Sequence, residues 1–276
     1  MSEHLRDQIA PHYEDQIDED ARLRSRHGLV ELARVQEVVR RHLPPAPARV
    51  LDVGGATGVH AEWLLADGYT VHLVDLLDSH VARAVERLGG SPGFSAQVGD
   101  ARALPVADAA CDVVLLLGPL YHLQSRDDRL AAWREAVRVV APGGAVVGMG
   151  VSRFASLFDG LVSGSLFDDE FRPLVEHDLA TGRHENPGHN PMWFTTAYFA
   201  RPDELAAEAA EAGLTDVEVL GLEGLPGWLR GRRLEPRLED ARDRDTLLWA
   251  ARVVESEPSL LGLSPHLLAI GRRPVA

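Results

Sequence analysis

Lysine is absent from the 276 residues, and all 28 basic side chains are arginine. Isoleucine and asparagine are scarce as well. Together these shortages read as the mark of a GC-rich coding sequence and not of a function. A single cysteine, Cys111, excludes an internal disulfide. No apolar run reaches the ~20 residues of a membrane span; the one around Val113 to Tyr121 is about half as long. The first residues, Met1 to Asp7, are charged and have no apolar stretch of the kind a secretory leader needs. Basic charge is in short supply, with 28 Lys+Arg against 42 Asp+Glu and a net charge of −14. Phosphate backbones need a basic face, so nucleic acid is not expected as the main partner. The expectation is a soluble, cytoplasmic protein with no membrane or nucleic-acid partner; the sequence leaves its oligomeric state open. Its 45% hydrophobic and 25% charged residues are an ordinary globular mixture. The length suits one large domain or two small ones.

What is present is an alternation of strand and helix signals. After a polar, acidic stretch over 1–26, Leu29, Leu32, Val35, Val39 and Leu43 recur at helical spacing, and the prolines from Pro44 end that helix. Strands are predicted at Arg49–Val53, Tyr69–Asp75, Phe94–Val98, Asp112–Leu117 and Ala145–Met149. Helices are predicted between them, over Val59–Asp67, after a cap at Asp78 or Ser79, and over Arg126–Val140. Pro142-Gly143-Gly144 reads as a turn. This spacing predicts a parallel sheet covered on both faces. Later the order loosens. Residues 151–200 show no clear strand, Pro202 opens a helix ending at Gly213, and Val217–Leu220 and His266–Ile270 read as late strands. The expected architecture is a doubly wound, mostly parallel Rossmann-like α/β sheet with a late antiparallel strand and a helical cap. One domain over 1–276 is expected, with a helical segment at 1–45 and a core of 46–150, 198–223 and 264–273. Insertions at 151–200 and 224–262 would form the cap over the carboxyl ends of the strands.

The chemistry gathers at strand ends. Asp52-Val53-Gly54-Gly55-Ala56-Thr57-Gly58 turns the first strand into the first helix, where glycines let a ligand approach the backbone. A dinucleotide fingerprint starting at Gly54 would need glycine at 56 and 59, where Ala56 and Val59 stand. Asp75, ending the second strand, can accept both hydroxyls of a ribose. Asp100, in Gly99-Asp100-Ala101, can accept from the exocyclic amine of a base. Each also has a plain structural reading, as turn or surface residue. His122, in Gly118-Pro119-Leu120-Tyr121-His122, can act as a general base with an ordinary pKa near ~6.5, or can fix helix geometry. His177, His184 and His189 share one insertion at spacings that match no closed zinc site, so no metal is expected.

The ordered set Asp52-x-Gly-x-Ala-x-Gly58, Asp75, Gly99-Asp100-Ala101, Leu117-Gly118-Pro119 and Pro142-Gly143-Gly144 resembles the class I S-adenosylmethionine-dependent methyltransferases. The likeness runs over about 46–150 and more loosely over 198–223 and 264–273. Gly118 to Leu123 and Trp193 to Phe199 also resemble bacterial small-molecule methyltransferases. The resemblance implies that Asp52, Gly54, Gly55, Ala56 and Gly58 lie along the methionine moiety. It implies that Asp75 holds the ribose and that Asp100 and Ala101 hold the adenine, with Leu76, Leu117 and Gly118 completing the cofactor set. The family often has glycine where Ala56 stands, and a methyl group is acceptable there if φ is negative. Family members that methylate nucleobases or amides usually carry Asp or Asn where this chain has Gly118, which lowers those substrates. Tyr121 and His122 are the catalytic candidates; Tyr13, Arg153, Trp193, Phe194 and Tyr198 are candidates for the acceptor side. The expected activity is methyl transfer from S-adenosylmethionine to an oxygen or amine nitrogen of a small molecule. A protein that binds this cofactor without methyltransferase activity is the alternative.

Overall fold

The apolar runs become strands because both of their faces are buried. The structure, a computed structural model, describes residues 6, 9–13, 19–25, 28–186, 190, 193–229, 235–238 and 240–275. A helical turn at 9–13 precedes α1 (Glu19–Arg24) and α2 (Gly28–His42). Then come β1 (Arg49–Val53), α3 (Val59–Ala66), β2 (Thr70–Asp75), α4 (Asp78–Leu88), β3 (Phe94–Val98) and β4 (Cys111–Leu116). The one-turn helix α5 (Pro119–His122), α6 (Arg126–Val139) and β5 (Val140–Ser152) follow, then α7 (Ala155–Ser163), α8 (Phe171–Thr181), β6 (Arg183–His184) and β7 (Ala197–Ala200). The chain closes with α9 (Pro202–Glu211), β8 (Thr215–Gly221), α10 (Ala241–Arg252) and β9 (His266–Arg272).

Strands β3, β2, β1, β4 and β5 lie side by side and parallel; β9 runs antiparallel to β5, and β8 antiparallel to β9. This is the doubly wound, mostly parallel Rossmann-like sheet. Alternate residues feed opposite layers. Val113 and Leu115 pack with Val35, Val38 and Val39 of α2 and with Leu64 of α3. Val114 and Leu116 pack with Trp133 and Ala136 of α6 and Leu205 of α9. The order reverses between β1 and β4, and a crevice opens there at the carboxyl ends of the strands. No helix among the described residues is long and apolar enough to cross a membrane.

Several expectations need correction. The fifth strand is 13 residues long and takes in Pro142-Gly143-Gly144, where the sequence alone predicts a turn. Its register against β4 shifts between Cys111 and Val113, which absorbs the positive φ of 79° at Gly143. Residues 151–200 do contain strands. β5 pairs with β4 as far as Gly148 and then, at Val151 and Ser152, with Phe199 and Ala200 of β7. The β6–β7 pair (Arg183 with Tyr198, His184 with Ala197) thus continues the sheet beyond the end of β4. Neither Asp78 nor Ser79 caps α4; the N-cap is Leu77, whose amide is held by Asp75 Oδ1 at 2.9 Å. The second insertion, 224–262, divides between the first insertion and the N-terminal helix. Trp228 packs with Phe158 of α7 and with Val151 and Phe199, whereas α10 lies along α2, tied by Arg252 to Glu37 at 3.3 Å.

Candidate active site

The glycine loop leaves β1 by bending back on β2. Gly54 takes φ 71° and donates its N–H to Val74 O at 2.7 Å. A Cβ at Gly54 would stand 2.6 Å from the ring of Pro119, so the loop and the end of β4 close on each other only through a glycine. Ala56 departs from expectation. Its φ is +47°, in the left-handed region, and not negative. Its N–H donates to Asp75 Oδ2 at 2.9 Å, which holds the strained turn in place. Asp75 Oδ1 accepts from Leu77 N–H and lies 3.2 Å from His80 Nδ1. Asp100 receives the guanidinium of Arg102, with Nη2 to Oδ2 at 2.6 Å.

Asp52 is fully buried behind the loop, and neither of its oxygens has a hydrogen-bond partner among the described residues. Burial, with Asp75 nearby, pushes its carboxyl up to about 7. On the other wall His122 is buried. Tyr13 O–H meets its Nε2 at 2.8 Å, and Thr196 O lies 3.4 Å from its Nδ1. A carbonyl only accepts, so Nδ1 carries the proton and Nε2 takes the hydrogen bond from Tyr13. Burial lowers this imidazole to about 4, well below its ordinary value; it is neutral at physiological pH. His60, buried beside the loop, is lowered to about 4 by the same cause.

These walls enclose one cavity at the carboxyl ends, about 990 Å³ when the solvent-filled space of its open mouth is included. Gly54, Gly55, Ala56, Asp75, Leu76, Asp100, Ala101, Leu117, Gly118, Tyr121, His122 and Tyr13 all line it. Asp52 and Gly58 stand behind the loop, and Gly58 packs toward Leu88. Arg153, Trp193 and Tyr198 do not line the cavity. Arg153 is buried, donating to Phe199 O at 2.7 Å and to Glu204 at 2.8 Å, and Tyr198 shares Glu204 at 3.0 Å. Trp193 rests on Phe171. Phe194 stacks behind His122 with ring centres 6.0 Å apart. His184 pairs with buried Asp178 at 2.8 Å and His177 is exposed, while His189 lies outside the described residues.

Leu23, Glu31, His60, His80 and Met149 also line the cavity. Little in the sequence marked Leu23 or Glu31: Leu23 is an isolated apolar residue in a polar stretch, and Glu31 looks like a solvated helix position. The lid over this side is the N-terminal segment, through Ile9, Tyr13 and Leu23. Glu31, Glu223 and His266 bring ligand-type atoms within 4.8 Å of one another. Their charges are already matched: Arg22 donates to both oxygens of Glu31 at 2.7 and 2.9 Å, and His266 pairs with Glu223. Burial alone would lower His266, but Glu223 and Glu31 raise it to about 9, so the imidazolium stands where a cation would.

The cavity lining includes three carboxylates, neutral imidazoles and no arginine among the described residues. Such walls fit a cationic ligand with hydroxyls and a base-like ring. Residues 51–148 match the model of the family described as methyltransferase domain. A malonyl-[acyl-carrier protein] O-methyltransferase of Geobacter sulfurreducens is 32% identical over 63% of this chain and 58% of its own length. The chain therefore spans little more than half of that relative. A dTDP-4-amino-2,3,4,6-tetradeoxy-D-glucose N,N-dimethyltransferase of Saccharopolyspora spinosa is 28% identical over 63% of this chain and 69% of its own. Among solved structures, a possible histamine N-methyltransferase of Thermotoga maritima superposes with a TM-score of 0.55 at 18% identity, over 98% of this chain and 99% of that one.

Proposed function

We propose that this chain, which carries a class I S-adenosylmethionine-dependent methyltransferase domain, transfers the methyl group to an oxygen or amine nitrogen of a small molecule. The observation that carries this reading is the single cavity joining the glycine loop, Asp75 and Asp100 at one end to Tyr121, His122 and Tyr13 at the other. When bound, the cofactor supplies a methyl group already activated on a sulfonium. The chain has to position, neutralise and exclude water. Asp75 holds the ribose hydroxyls, Asp100 and the Ala101 amide hold the adenine, and Asp52 faces the cationic methionine portion through the loop. Gly118 and Leu117 bring the end of β4 close to the methyl group. His122, kept neutral, takes the proton of a hydroxyl or amine acceptor when Tyr13 yields Nε2. The relatives named for O- and N-methylation are compatible with either acceptor atom. We place the protein in the cytoplasm, with a small-molecule partner and no nucleic acid.

One observation favours the second reading, a protein that binds the cofactor without turnover: the Tyr13 hydroxyl occupies the nitrogen that would receive the proton. Incubation of metabolite extracts with methyl-labelled cofactor separates the two. The proposal expects label in small molecules and stoichiometric S-adenosylhomocysteine. Tight binding of S-adenosylhomocysteine with no label transferred to any fraction would favour the second reading. No binding of either ligand by the folded protein would defeat both.

A further inference from the structure

His80 stands on α4, five residues after Asp75, and is buried in the cavity wall. Its Nδ1 is 3.2 Å from Asp75 Oδ1. Asp75 already accepts from the amides of Leu77 and Ala56, and it accepts here too, which puts the proton on Nδ1. The other edge of the residue faces the lid. The rings of His80 and Tyr13 meet edge-on, with centres 5.8 Å apart and planes at 76°. Tyr13 in turn donates to His122 Nε2. His80 therefore touches both the carboxylate at the cofactor end and the aromatic ring that reaches the acceptor end.

We infer that His80 is a positioning residue that links the two ends of the site. Its N–H fixes the plane of the Asp75 carboxylate, so that the acceptor capacity left on Oδ2 is held in place for a ribose hydroxyl. Its ring is the seat on which Tyr13 settles, so the acceptor side is completed against an ordered cofactor side. The inference rests on the methyltransferase reading, because it assigns Asp75 to a ribose. The two roles are chemically separable. Asparagine keeps an N–H near the Nδ1 position and loses the ring; phenylalanine keeps the ring and loses the donor.

The test uses the full chain with S-adenosylhomocysteine as the probe. Calorimetry gives the affinity, and hydrogen exchange over 9–13 in the bound state reports the lid. His80→Ala is expected to weaken binding about tenfold and to leave 9–13 exchanging fast. His80→Asn is expected to bind within about threefold of the unaltered protein with the lid still loose. His80→Phe is expected to bind as weakly as alanine while 9–13 regains protection. Melting curves establish that each variant is folded. The inference is overturned if His80→Ala matches the unaltered protein in both readouts, or if asparagine and phenylalanine fail identically in both. An unaltered protein that binds no S-adenosylhomocysteine would instead remove the methyltransferase reading, and this inference with it.

Discussion

Ala56 carries a backbone conformation that costs an L-residue about 1–2 kcal/mol, and it does so at the tip of the loop facing the ligand. The Asp75 bond to its amide offsets part of that cost. Replacing it with glycine removes the strain and adds about 0.5–1 kcal/mol of unfolded-state entropy. Ala56→Gly is therefore expected to stabilise by about 0–1.5 kcal/mol. Ala56→Val, β-branched at positive φ, should destabilise clearly. Paired denaturant titrations check both. His122 is decided by burial in the same local way. With its pKa near 4 it is neutral from pH 6 to 9, so activity in that range should show no inflection belonging to it. His122→Ala should leave S-adenosylhomocysteine affinity within about threefold and lower kcat at least ~10²-fold with a hydroxyl acceptor. Full activity of the variant across that range would make His122 a spacer between Tyr13 and Phe194.

At the scale of elements, the N-terminal lid is held by ions where the core is held by apolar contact. Arg87 of α4 reaches Asp20 at 3.1 Å, Glu62 at 3.1 Å and the Thr57 carbonyl at 2.9 Å, and Arg24 adds a bond to Asp20 at 3.0 Å. Exposed pairs of this kind contribute about 0.2–1 kcal/mol each and are screened by salt. Arg87→Ala, or high salt on the unaltered protein, should speed hydrogen exchange over 19–24 a few-fold and leave α6 unchanged. Equal exchange in both would mean that Leu23 and Ile9 hold the lid by burial alone. The same contrast explains what the sequence made legible. β1, β2, β4 and the core of β5 are apolar on both faces, and that pattern needs no partner to be read. The lid has no period, only single apolar residues whose depth depends on a cavity built by distant segments. β7 is four residues long and exists because β5 outlasts β4. Arg153 and Tyr198 resemble acceptor-binding residues until Glu204, from the next helix, is seen to hold both. The glycine loop, Asp75, Asp100 and His122 were legible because they follow strand ends directly. His80, buried by its neighbours, was not.

Over the whole molecule, buried ionisable groups set a pH optimum for stability. His60 and His122 have folded pKa values near 4, below the ~6.5 of an unfolded histidine; each favours folding above 6.5 and loses that contribution as pH falls toward 4. Asp52, raised to about 7, acts oppositely between ~3.9 and 7. Between about 4.5 and 6.5 the unfolded chain thus holds one more proton than the folded one, two from histidine less one from Asp52. Stability should rise by about 1.4 kcal/mol per pH unit there. His42 and His72, lowered by burial, add to that rise. His266, raised to about 9, favours folding below 6.5 and gives up its contribution between 6.5 and 9, a fall of similar slope. Melting temperature against pH should peak near neutrality, and His266→Gln should flatten the alkaline side alone. A curve still climbing at pH 9 would contradict this balance. The rungs that β5 lends to β7 have a different kind of consequence. Residues 153–196 leave the sheet at Ser152 and return beside it at Ala200, so the excursion is tied off at its own base. A lineage can lengthen, shorten or exchange that excursion without re-registering β1 to β5. Duplicated copies of such a gene can therefore diverge in what they place behind His122 while inheriting the loop, Asp75 and Asp100 intact.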